Sequence, residues 1–223
     1  MIQKETIQFL YDLRDNNHKE WFDANRKVYE AARKDFIAFV ARIIEGIQSF
    51  DESVAESQLD PKKTMMRINR DIRFSKDKTP YNSHLFTYIN PGGRKTPTAG
   101  YFFSLDPGSA FCGAGTYKPP TDTLNQIRQE IDFNPDSWLA IVDDAGLRAQ
   151  FESVISSEQL SRPPKGYEKD NPLLDWLKRK DFYVKRDISD KELLDPALAD
   201  RVVEDFRVGS KLVKFLNQSL IGG

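Results

Sequence analysis

Three arginines recur at every third position in residues 67–84, RINRDIRFSKDKTPYNSH, and Lys76, Lys78, Tyr81 and His84 follow them. One short segment thus gathers guanidinium, ammonium, carboxylate, phenol and imidazole groups. Arg67, Arg70 and Arg73 suit the binding of a carboxylate or phosphate, because a planar guanidinium grips such an anion through paired N–H bonds. Each charge-assisted bond contributes about 1.5–3 kcal/mol where water is partly excluded. Lys76 and Lys78 would add charge to this ligand-binding set, and Tyr81 a hydroxyl donor. For acid–base chemistry the same stretch offers Asp71 or Asp77 as a base and Tyr81 or His84 as an acid, with the reaction itself left open. The competing reading is structural: Asp71, Asp77 and acids from the N-terminal helices pair the cations internally and brace the sheet.

Signals for other chemistries are missing. His18, His84 and Cys112 are too few to close a zinc site, so no metal is expected. Gly92-Gly93-Arg94-Lys95 resembles a phosphate-cradling loop only in composition, no Gly-x-Ser-x-Gly elbow occurs, and no cofactor is expected. Charge narrows the partners further. The chain carries a formal −1, yet residues 62–84 hold seven Lys/Arg against Asp71 and Asp77, a local +5, and the remainder has 26 basic against 32 acidic residues, or −6. A basic focus on an acidic body favours a small anionic, phosphate-bearing ligand over bulk coating of nucleic acid or membrane.

Two alternatives remain at this point. In the first, nucleic acid meets the basic segment while Phe74, Tyr81 or Tyr88 stack on bases, against which a pI of about 6.2 weighs. In the second, the protein is a non-catalytic scaffold whose basic segment docks an acidic partner or is only a salt-bridge brace. The single cysteine, an N-terminus MIQKETIQFLYDLRD without an apolar signal core, and the lack of any membrane-length apolar run lead to the expectation of a cytoplasmic protein with no membrane partner.

The elements that must position this segment are set by periodicity. Ile7, Phe9, Leu10 and Leu13 mark a helix stopped by Asn16-Asn17, and the apolar series from Trp21 to Ile47 predicts two helices or one bent helix ending near Phe50. Residues 49–60 read as an acidic loop broken by Asp60-Pro61, and residues 64–68 as a strand with Met66 and Ile68 on one face. Three aromatic and β-branched runs, residues 85–89, 101–105 and 110–117, are separated by Pro/Gly turns and predict an antiparallel meander in which Gly113 and Gly115 leave one face bare. Helical spacing returns after Pro119-Pro120, a strand is expected at Phe182-Tyr183-Val184, and a last helix over residues 193–220 ends at Gly222. The expected fold is a single α+β domain over residues 1–223, with a central antiparallel sheet flanked by N-terminal and C-terminal helices.

The run Asp60-Pro61-Lys62-Lys63, followed by Arg67-Ile68-x-Arg70-Asp71-Ile72-Arg73-Phe74-Ser75-Lys76-Asp77-Lys78-Thr79-Pro80-Tyr81, resembles the signature of a widespread bacterial and fungal family catalogued as a domain of unknown function. The resemblance extends to Phe9-Leu10, Asn16-Asn17, Trp21-Phe22, Gly113-x-Gly115-x-Tyr117, Ile127-Arg128 and Lys165-Gly166-Tyr167, so it covers nearly the whole chain. It implies a family and no reaction, and the density of matching polar types at residues 67–81 favours a ligand site over a pure brace.

Overall fold

The computed structural model describes residues 1–93 and 96–221, so the expectations for Arg94, Lys95 and Gly222 lie outside the described residues. Chain order is α1 (Lys4–Asp15), α2 (Lys19–Ala24), α3 (Arg26–Gln48), α4 (Glu52–Glu56), α5 (Pro61–Thr64), β1 (Leu85–Ile89), β2 (Gly100–Leu105), β3 (Ala110–Thr116), α6 (Thr121–Phe133), α7 (Pro135–Val142), α8 (Ala145–Phe151), α9 (Leu174–Leu177), β4 (Phe182–Ile188), α10 (Asp190–Leu193) and α11 (Leu198–Ile221). The four strands form an antiparallel meander in the order β1-β2-β3-β4, giving an α+β fold with helices before and after the sheet. No helix among the described residues is long and apolar enough to cross a membrane.

The chain divides into two units. One comprises Met1–Ile89, Phe102–Cys112 and Asp187–Glu204, and the other comprises Asn90–Tyr101, Gly113–Arg186 and Asp205–Gly223. In the first, the apolar stripe of α1 (Ile7, Phe9, Leu10, Leu13) packs on α3, whose Phe36, Phe39, Val40, Ile43 and Ile47 are buried. The α3 rings Phe36 and Phe39 meet Phe103 of β2 at centroid distances of 6.1 and 4.8 Å. In the second, Trp138 of α7 is fully buried and sits edge-on to Trp176 and to Phe182 of β4, at 5.1 and 5.6 Å.

Two local expectations are corrected. The acidic stretch before Asp60 is not all loop: Asp51 caps α4 by accepting the Val54 N–H, and Asp60-Pro61 opens α5, with Pro61 in its first turn and Asp60 accepting the Lys62 N–H. Proline suits a helix start because its missing N–H would have no partner there. Residues 64–68 form no strand with Met66 and Ile68 together, since Met65 and Ile68 are buried and Met66 is 50% exposed. Its strand-type pairing consists of isolated bridges, Met65 with Thr87 and Asn69 with Tyr81, so strand alternation does not govern it.

Candidate functional site

The basic segment leaves the fold and returns to it through a small set of fixed points. At its start, Met66 donates its N–H to the Phe86 carbonyl at 2.8 Å, and the Thr64 and Thr87 hydroxyls lie 2.8 Å apart. At its neck, Ile68 is buried, the Asn82 N–H reaches the Ile68 carbonyl at 2.7 Å, and the Arg70 N–H reaches the Pro80 carbonyl at 2.9 Å. Residues 70–80 are therefore a loop closed by the Asn69–Tyr81 bridge.

Tyr81 anchors that neck to the N-terminal helices. Asn17 treats it as a neighbouring strand would: its Oδ1 accepts the Tyr81 N–H at 3.1 Å, and its Nδ2 donates to the Tyr81 carbonyl at 2.9 Å. The buried Tyr81 ring stacks on Phe22 with centroids 4.0 Å apart and planes 16° from parallel. Of the paired asparagines, Asn16 ends α1 by bonding back to the Asp12 carbonyl, while Asn17 holds the loop. Trp21 is half-buried and stacks on Phe9 at 6.0 Å.

Within the loop, two of the three arginines meet carboxylates. Arg70 is 25% exposed and donates through Nη1 to Asp77 Oδ2 at 2.6 Å, to the Thr79 carbonyl at 3.1 Å and to the Thr79 hydroxyl. Arg73 forks onto Asp71, Nε to Oδ1 at 2.9 Å and Nη2 to Oδ2 at 2.6 Å. Lys78 Nζ donates to the Ile72 carbonyl at 3.0 Å, which ties the loop across its width. Arg67 and Lys76 are exposed, and neither side chain has a hydrogen-bond or ion-pair partner among the described residues.

Arg67, Asn69, Arg70, Asp71 and Arg73 line one open hollow of about 250 Å³. The structure thus brings the three arginines together, with Asn69 as a lining residue that the charge pattern alone did not single out. A guanidinium has five N–H donors. These bonds leave Nε and Nη2 of Arg70, Nη1 of Arg73 and the whole Arg67 guanidinium without hydrogen-bond partners among the described residues. Tyr81, Lys76, Lys78, Asp77 and His84 do not line the hollow.

The two carboxylates are tuned away from proton transfer at neutral pH. Asp77 is pulled down to about 2, first by the Thr79 backbone N–H, then by Arg70 and the Thr79 hydroxyl, and Asp71 is lowered by its bonds to Arg73. Both carboxylates are therefore held in the ionised, weakly basic form. Burial pushes the His84 imidazole down, with Asp106 opposing that shift and Arg14 adding to it. Among the described residues, no group of three or more His, Cys, Asp and Glu is placed to hold a metal ion.

The Asp77 bonds make a pH prediction. Its folded pKa lies below its unfolded value, so its contribution to stability is complete above about pH 4 and is lost as pH falls through about 2. Wild type should unfold at higher urea than Asp77→Asn at pH 7, and the two midpoints should converge as pH approaches 2. A gap that stays constant down to pH 2 would show that Asp77 does not make these bonds as its charged form.

A family model described as a conserved hypothetical protein (DUF2461) matches residues 5–215. No curated protein and no solved structure matches the chain.

Proposed function

The chain belongs to the DUF2461 family of conserved hypothetical proteins, and because that membership brings no reaction with it, we propose from the chemistry of the loop that the protein binds a small phosphate-bearing anion in the hollow of Arg67, Arg70 and Arg73. The Arg67 guanidinium carries the reading: it is exposed at the hollow with no hydrogen bond or ion pair among the described residues, its charge reaching Asp71 only from a distance, beside two arginines whose ion pairs leave N–H groups over. At about 250 Å³ the hollow is just smaller than pockets that enclose drug-sized ligands, roughly 300–1,000 Å³, so it suits a single anionic group with the rest of its ligand outside.

Binding is favoured over catalysis because the carboxylate at the rim, Asp71, and its neighbour Asp77 are both held ionised by donors and offer no base matched to neutral pH. Lys76 adds unpaired charge to the loop, while Lys78 and Tyr81 serve as supports. The single, buried Cys112 fits a reducing compartment, and we place the protein in the cytoplasm.

The brace reading has its own observation, the Arg70–Asp77 and Arg73–Asp71 pairs, and one pair of variants separates the two readings. Arg67→Ala should abolish binding of inorganic phosphate, measured by titration calorimetry, and leave the melting temperature within about a degree, as for a surface substitution. Arg70→Ala should lower the melting temperature by a few degrees, because Asp77 Oδ2 and the Thr79 carbonyl lose their guanidinium donor while the Asp77–Thr79 bonds remain. Phosphate affinity unchanged in Arg67→Ala, or no phosphate binding to the wild type, would leave the arginines as a brace alone.

A further inference from the structure

Phe74 directly follows Arg73 and is 95% exposed, the most exposed large apolar side chain among the described residues. It contributes no packing to the fold, and its position relative to the hollow is specific. The Arg73 guanidinium carbon lies 5.8 Å from the Phe74 ring centroid, and Arg73 itself lines the hollow, so one side chain joins the bare ring to the anion site. Phe133 is also exposed, but among the described residues no cation stands over its ring.

Resting on the anion-binding reading, we propose that the ligand is a nucleotide, its phosphate held by the Arg67, Arg70 and Arg73 donors and its base stacked on Phe74. An aromatic face beside guanidinium donors matches the two ends of a nucleotide: every base has a π-face to stack, and the phosphate takes paired N–H bonds. The charge distribution sets the length. Outside residues 62–84 the chain carries −6, which repels a long polyanion, so the recognised unit is one nucleotide, either free or at the 5′ end of a single strand.

The test is calorimetry with inorganic phosphate, adenosine 5′-monophosphate and a 5′-phosphorylated trinucleotide on wild type, Phe74→Ala and Phe74→Tyr. Because the ring is solvent-exposed, all three proteins should melt together. The monophosphate is expected to bind at least about fivefold tighter than phosphate. Phe74→Ala should erase that margin without changing phosphate affinity, and Phe74→Tyr should keep it. A trinucleotide tighter than the monophosphate supports the proposal with a strand end as the source, and one that is no tighter supports it with a free nucleotide. Phosphate binding with no margin for the monophosphate, or a margin that survives Phe74→Ala, overturns the nucleotide proposal and leaves anion binding standing. Binding of neither ligand overturns both. Phe74-dependent sedimentation with phosphatidylserine vesicles, combined with no monophosphate margin, would overturn the proposal by assigning the ring to a lipid surface.

Discussion

Tyr81→Ala should destabilise the protein by about 3–5 kcal/mol, the usual cost of truncating a buried aromatic ring, and should remove phosphate binding although Tyr81 does not line the hollow. For a chain of this length that is a fall in melting temperature of roughly 10 °C. The ring stacked 4.0 Å from Phe22 ties the neck of the loop to α2, and Asn17 fixes the backbone of the same residue from the end of α1. Losing the ring frees residues 70–80 from their anchorage, so the donors of Arg67 and Arg70 no longer converge. Tyr81→Phe separates support from direct contact, because it keeps the stack and deletes only the hydroxyl. It is expected to melt close to wild type and to bind phosphate as wild type does. A Tyr81→Phe protein that is stable yet unable to bind phosphate would instead give the hydroxyl a direct role in the ligand.

This support was hidden in the sequence for a physical reason. Arg67, Arg70 and Arg73 are legible as a group because they lie within one short stretch, and the helical stripes of α1 and α3 are legible because each spans several turns of one period. What decides the state of the arginines is pairing geometry. Asp71 and Asp77 could have faced solvent, each other or the helices, and only the turn of the chain at residues 70–80 brings them to Arg73 and Arg70. The Asn17–Tyr81 clamp joins positions 64 residues apart, a separation over which local pattern says nothing. Short elements escaped for a related cause. Helix α4 has five residues and buries only Val54, too few for a period to register, and α5 has four. At Asp60-Pro61 one dipeptide is consistent with a chain break and with a helix start, and the outcome depends on whether residues 62–64 can complete a turn.

Gly113 and Gly115 show the same limit, since two glycines two apart in a strand announce a bare face without saying what comes near it. At Gly115 the answer is backbone: a Cβ there would lie 2.3 Å from the Phe182 carbonyl oxygen and 2.7 Å from the Tyr183 Cα, and the residue has φ +127°. Strand β4 therefore occupies the space that a side chain on β3 would need. Gly115→Ala is expected to cost about 2–6 kcal/mol, combining about 1–3 for overpacking with about 1–3 for the left-handed backbone. Against a typical total stability of about 5–15 kcal/mol, that change could leave much of the protein unfolded. The damage should also be visible where β4 meets the helices, because Phe182 packs edge-on to the buried Trp138, and displacing it should alter the tryptophan fluorescence of the folded fraction. Gly166→Ala is the matched control. Gly166 has φ +92° but nothing within 4 Å of its would-be Cβ, so it carries the backbone term without the clash and should cost only about 1–3 kcal/mol. If the two variants lost equal stability, the glycine in β3 would be explained by its backbone angle alone and the close approach of β4 would contribute nothing.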